Sequence, residues 1–241
     1  FMDAFIGWNA KDETLNPTDM EGRDGVSSWG WDVDELVGNL GDNYKIMECG
    51  MKAFPTEALT HTHLSCLLNA MIGNDIDYTD IKEVKVVCFA QAYDILFDPT
   101  KYRPESRETA DHSLPYCLAA AMVDKKITTE SFSDEKLSDP RIFEVIDKIK
   151  GEPSQEFEKM FPEKQPSKVV VTTNDGREFS EYLEFPKGDP REPMTIVDLE
   201  NKFNSLAGDK FDSNAKTQLK ENIFNCEDMS APQFMNKLNV Q

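Results

Sequence analysis

The chain has 241 residues, 45 of them acidic and 26 basic, for a formal charge of −19, with 39% hydrophobic residues. Mixed charge at that apolar content suits a folded globular protein rather than a disordered one, and the negative field repels phosphate backbones, so nucleic-acid binding is not expected. No apolar run approaches the roughly 20 residues that a membrane-spanning helix needs, so no membrane partner is expected.

In chain order, Phe1-Met2-Asp3-Ala4-Phe5-Ile6 is an apolar opening without the basic lead of a signal peptide. It is expected to pack on a partner layer. Val33–Val37 reads as a short helix stopped by Gly38 or Gly41. Residues 55–72 read as a helix because Leu59, His63, Leu67 and Met71 recur every four residues, with Pro55 in the first turn. Alternation and β-branching make Glu83–Phe89 a strand. Ser113 and Pro115 start an apolar helix, Leu114–Asp124. Asp139-Pro140 opens another, Arg141–Lys150. Asn174-Asp175-Gly176 lies between two β-rich runs, Val169–Thr173 and Glu178–Phe185, which is a hairpin signal because its turn needs positive φ. Helices over Met194–Leu206, Asn214–Phe224 and Pro232–Leu238 finish the chain. The expected fold is α+β: residues 48–193 form a small α+β domain, bracketed by 1–47 and 194–241, helical segments of an all-α domain.

The five cysteines, Cys49, Cys66, Cys88, Cys117 and Cys226, have no C-x-x-C or zinc-site spacing. Reduced thiols in a cytoplasmic compartment follow, and neither metal nor organic cofactor is expected. A Gly-rich phosphate loop is also absent.

The three histidines fall in two short segments, Lys52–His63 and Ala110–Tyr116. Each places titratable groups at a helix start, where dipole and burial shift proton affinity. The plain reading of each is a cap or a packed histidine. His61 and His63 are two apart and cannot share a helix face. His63 shares the apolar stripe with Leu59 and Leu67, so packing suits it better. The spacing is also poor for a helical metal pair.

Ala110-Asp111-His112-Ser113-Leu114-Pro115-Tyr116, with Leu118-Ala119-Ala120-Ala121 and Ile127-Thr128-Thr129-Glu130 after it, resembles a hallmark of the 2-methylcitrate dehydratase family, the MmgE/PrpD superfamily. Lys52 through His61 resembles that family's Lys-x-aromatic-Pro…Thr-His element. The hairpin, Pro186-Lys187-Gly188, Glu192-Pro193-Met194 and Lys202-Phe203…Leu206-Ala207 follow in the same order. The likeness runs from about Val33 to about Phe224 and covers the family's C-terminal half.

The resemblance implies a cofactor-independent enzyme of small di- or tricarboxylates. It would work with an N-terminal helical half, present as a further segment or a separate chain, and as an oligomer. On this template Lys52 neutralises a substrate carboxylate, His61 orients substrate or moves a proton, and His112 is the leading acid–base group with Asp111 setting its tautomer. Tyr116 would donate to a carboxylate or the leaving oxygen, and Arg103 and Arg107 would reach the substrate from a loop. The Asp111–His112 pair favours a hydro-lyase of the 2-methylcitrate type, in propionate metabolism, over decarboxylation. An epimerase or decarboxylase on the same scaffold and a non-catalytic interaction subunit are the alternatives.

Overall fold

The computed structural model describes residues 38, 40–42, 44–208 and 210–239. The helix expected at Val33–Val37, the apolar opening and its packing on residues 195–241 lie outside those residues. The chain divides into two compact units, Phe1–Cys49 and Gly50–Gln241. The described part of the first is a turn through Gly41 and a single 3-10 turn, Lys45–Glu48.

In the second unit four strands form one mixed sheet. β1 (Ile81–Cys88), β2 (Ile149–Pro153), β3 (Ser167–Thr173) and β4 (Glu178–Leu183) lie in the order β2-β1-β3-β4. β1 and β2 are parallel and the other two pairs antiparallel, which gives the expected α+β class. Alternation places Val84, Val86 and Cys88 of β1 and Val169 and Val171 of β3 in the core. The hairpin closes through Gly176 at φ 87°. Thr173 Oγ1 donates to the Asp175 carboxylate at 2.5 Å, and Arg177 donates to it at 2.7 Å, which together hold Asp175 down to about 2.

Helix α1 (His61–Gly73) packs on β3, β4 and a central helix. It starts later than its periodicity suggests, after a separate 3-10 turn, Ala58–Thr60, so Pro55 lies outside it. The Glu57 carboxylate caps that turn through the Leu59 amide at 2.7 Å, and Glu57's own amide donates to the Asp111 carbonyl at 3.0 Å. A long-range bond thus satisfies an amide that the first turn of a helix starting at Pro55 would leave without an intrahelical partner. Helix α2 (Ala90–Leu96) leaves β1 and packs on β2. Helix α3 (Arg107–Asp111) carries a Ser106/Thr109 capping box. Helix α4 (Leu114–Asp124) has the expected bounds. Ser113 Oγ accepts from the Tyr116 amide at 3.1 Å and donates to the Lys101 carbonyl at 2.5 Å. Leu114 through Met122 are buried without a break, as an all-round apolar helix must be.

Helix α5 (Pro140–Ile146) is shorter than the expected Arg141–Lys150. Its supposed last turn is β2, with Ile149 opposite Val84. Gly151 lets that strand lie flat on the Phe97 ring, where a Cβ would come within 2.8 Å. Helices α6 (Ile196–Ala207), α7 (Ser213–Phe224) and α8 (Ala231–Leu238) complete the unit close to their expected bounds. No described helix is long and apolar enough to cross a membrane.

Candidate active site

The cleft of the second unit has a volume of about 460 Å³. Five lysines line it, Lys52, Lys125, Lys126, Lys187 and Lys202, against the single carboxylate of Asp198. Lys52 stands in the bend-rich lead into Ala58–Thr60, with its Nζ donating to the Thr56 carbonyl at 2.9 Å. Lys125 ends α4 in the left-handed region, at φ 54°, a conformation that costs a non-glycine residue about 1–2 kcal/mol. It turns the chain so that Lys125 and Lys126 both reach the cleft. Lys187 pairs with Asp198 at 2.9 Å, and Lys125 reaches the fully exposed Asp75 at 3.6 Å. Lys52, Lys126 and Lys202 have no carboxylate partner among the described residues. In a protein of charge −19, lysines outnumber carboxylates five to one in the lining of this cleft, and the distant acidic surface is screened there.

His61 lies directly behind this cleft. It is not in the lining, but its ring packs on that of Phe54, which is, with centroids 5.4 Å apart. Burial, with the positive charges of Lys52 and Lys202 adding to it, lowers its pKa to about 4, against a hydrogen bond to the Thr56 backbone that raises it. Its Nε2 is buried without a hydrogen-bond partner among the described residues. At neutral pH the ring is therefore uncharged. A polyanion entering the cleft would reverse the electrostatic part of that shift. His63 faces the sheet, with Nδ1 2.5 Å from Ser167 Oγ, and complete burial lowers its pKa to about 3.

The other expected site residues lie elsewhere. The carbonyl of Asp111 takes the Glu57 amide, so the two histidine-bearing segments do meet. The His112 side chain is nevertheless 55% exposed, bonded through Nδ1 to its neighbour Asp111 and to the Glu108 carbonyl, and does not line the cleft. Tyr116 is fully buried, and its hydroxyl donates to the Ser131 carbonyl at 2.9 Å. That bond occupies the donor assigned to substrate. Arg103 pairs with Asp147 at 2.8 Å and lies over the Phe143 ring, outside the cleft, and Arg107 is not in the lining either. Of the three cations expected to meet substrate, Lys52 lines the cleft and Arg103 and Arg107 do not.

Sequence reasoning missed Lys125, Lys126, Lys187 and Lys202 as site residues, although Lys187 and Lys202 stand in segments quoted for the resemblance. Burial pushes the Cys66 and Cys88 thiols up to about 12 and Cys117 well above its ordinary value, so none is a nucleophile at neutral pH. Among the described residues no three His, Cys, Asp or Glu side chains converge as a metal site requires.

Residues 54–226 match the model of the MmgE/PrpD C-terminal domain. The chain belongs to the MmgE/PrpD family. Among curated relatives it is similar to the cis-aconitate decarboxylase of Mus musculus, 31% identical over 108 residues, which is 43% of this chain and 21% of the relative. It is 24% identical to the cis-aconitate decarboxylase of Aspergillus terreus over 195 residues, 78% of this chain and 40% of the relative. The Homo sapiens cis-aconitate decarboxylase is 28% identical over 132 residues, covering 52% and 26%. The chain thus matches between 21% and 40% of the length of these relatives. The family includes lyases, and the relatives named are decarboxylases rather than dehydratases.

Proposed function

We propose that this MmgE/PrpD domain supplies the carboxylate-holding wall of a lyase acting on a small di- or tricarboxylate, with decarboxylation as its reaction. The observation that carries the reading is the cleft of five lysines around one carboxylate in a strongly acidic chain. Heterolysis of a carbon–carboxylate bond releases CO2 and leaves the electron pair on carbon, conjugated with a neighbouring carboxylate. The ammonium groups of Lys52, Lys126 and Lys202 oppose that growing charge, and more strongly where water is excluded. A proton must then return to carbon. His61 stands behind Phe54 and outside the lining, so that proton comes from solvent or from the helical half, a role worth typically about 10²–10⁴-fold.

Elimination of water from a 2-methylcitrate-like substrate is the second reading, favoured by the Asp111–His112 pair beside Glu57. A helical half, from another segment or chain, is part of both readings. Ile196, Val197, Leu206, Phe224 and Met235 of α6–α8 expose apolar surface that such a layer covers. Five unpaired thiols support a cytoplasmic setting. The test is to incubate the protein, alone and with the helical domain of an MmgE/PrpD relative, with cis-aconitate and 2-methylcitrate under NMR observation. CO2 loss from cis-aconitate supports the first reading and water loss from 2-methylcitrate the second. If neither substrate turns over with the helical domain present, the lyase assignment fails.

A further inference from the structure

The cations of the cleft come from four separate segments, and one of them, helix α6, touches two of the others. Lys202 of α6 donates its Nζ to the Lys52 backbone carbonyl at 2.7 Å. Asp198, one turn earlier on the same helix face, pairs with Lys187 at 2.9 Å. Asp198 is itself fixed, because its carboxylate accepts from the Thr195 amide at 2.9 Å and the Thr195 hydroxyl at 2.7 Å in the capping box that starts α6. The segments so gripped also hold each other. The Met51 amide donates to the Gly188 carbonyl at 2.8 Å, and the Gly188 amide donates to Glu192 O at 2.8 Å. Gly188 sits at φ 96°, where a Cβ would fall 1.8 Å from the Met51 carbonyl oxygen. The two chains therefore run in backbone contact that only glycine permits.

From this arrangement we infer that Lys202 and Asp198 are positioning residues: α6 sets the spacing between the Lys52 and Lys187 ammonium groups and so the size of anion the cleft accepts. The inference rests on the carboxylate-binding reading above. Lys202 lines the cleft too, but its Nζ lies on the Lys52 carbonyl, so a separate part of its effect on an anion passes through the Lys52 segment. An ammonium on a carbonyl holds a backbone segment without spending the charge of the neighbouring Lys52. It also ties the cleft floor to a helix whose other side is the exposed apolar face of Ile196 and Val197, so whatever seats on that face shifts both lysines together.

Two measurements on the whole protein test this. The first needs no ligand. In Lys202→Met the Met51 amide should exchange with solvent about tenfold faster, roughly the loss of one charge-assisted hydrogen bond. Lys52→Met, which keeps the Lys52 carbonyl, should leave it unchanged. The second is a calorimetric titration with citrate and with succinate in a double-mutant cycle. Lys202→Met and Lys52→Met should each weaken citrate binding about tenfold, and the double variant little more than either, because one residue acts through the other. Lys202→Arg should recover most of the affinity. Asp198→Asn should narrow the preference for citrate over succinate, and the distant Lys168→Met should change nothing. Unaltered Met51 exchange in Lys202→Met, or strictly additive losses near a hundredfold in the double variant, overturns the positioning role while leaving the cleft as an anion site. Absence of citrate binding by the wild type removes the carboxylate reading itself, whatever the exchange result.

Discussion

Acidification should unfold this protein through two histidines that the fold keeps neutral. His61 and His63 are both buried, with pKa values lowered from 6.5 to about 4 and about 3. In the unfolded chain each takes up a proton as pH falls through about 6.5, whereas the native fold does not accept it until far lower. Their contribution to stability is therefore complete above about 6.5 and is lost as pH falls towards 4 and 3. At pH 5.5, one unit below the unfolded value, each costs about 1.4 kcal/mol, and the pair about 3 kcal/mol. That is a large part of a typical domain stability of about 5–15 kcal/mol. Asp175 and Asp198, held down to about 2 by their hydrogen bonds, lose their contribution only below about 4, outside this window. Urea unfolding at pH 7.5 and 5.5 should show the midpoint fall, with both conditions a unit or more above the pI of about 4.5. His63→Asn keeps a polar atom near Ser167 and cannot titrate, so it should roughly halve the pH-dependent loss. A midpoint that does not move with pH, or a His63→Asn variant with the full wild-type loss, would refute this account of the two rings.

Gly188→Ala should lower stability by about 2–4 kcal/mol, from strain at positive φ and the broken Met51–Gly188 bond, and should weaken citrate binding because Lys52 shifts with Met51; urea titration and calorimetry read the two effects. Tyr116→Phe should cost about 1–2 kcal/mol by stranding the Ser131 carbonyl and leave citrate affinity within about twofold, since no more than the hydroxyl is lost and it does not line the cleft. A tenfold loss of affinity in Tyr116→Phe would return that residue to the site.

The elements legible in the sequence were those with a local cause. Ser113 and Pro115 define the start of α4 because the cap is made by adjacent residues, and Asp175-Gly176 defines the hairpin because its turn demands positive φ. β2 was hidden because Ile142, Val145, Ile146 and Ile149 keep a helical period straight through the end of α5. What makes Ile149–Pro153 a strand is distant: the β1 backbone and the Phe97 ring under Gly151. The site divides in the same way. Lys52 and His61 share one short segment whose chemistry stands out. Lys125 and Lys126 carry no local signal, Lys187 and Lys202 stand in family-like segments without a titratable neighbour to single them out, and only the fold brings the four to one cleft. Tyr116 looked available from its motif, yet its donor was already taken by a carbonyl fifteen residues away.

The central claim is that the lysine-lined cleft binds a small polycarboxylate. The direct measurement is a calorimetric titration of the protein with cis-aconitate at low and high salt, repeated with Lys52→Met. The account predicts one site per chain, affinity that falls with salt, and at least a tenfold loss in Lys52→Met, the size of one charge-assisted contact. Binding that is indifferent to both salt and Lys52, or no binding at all, would contradict it.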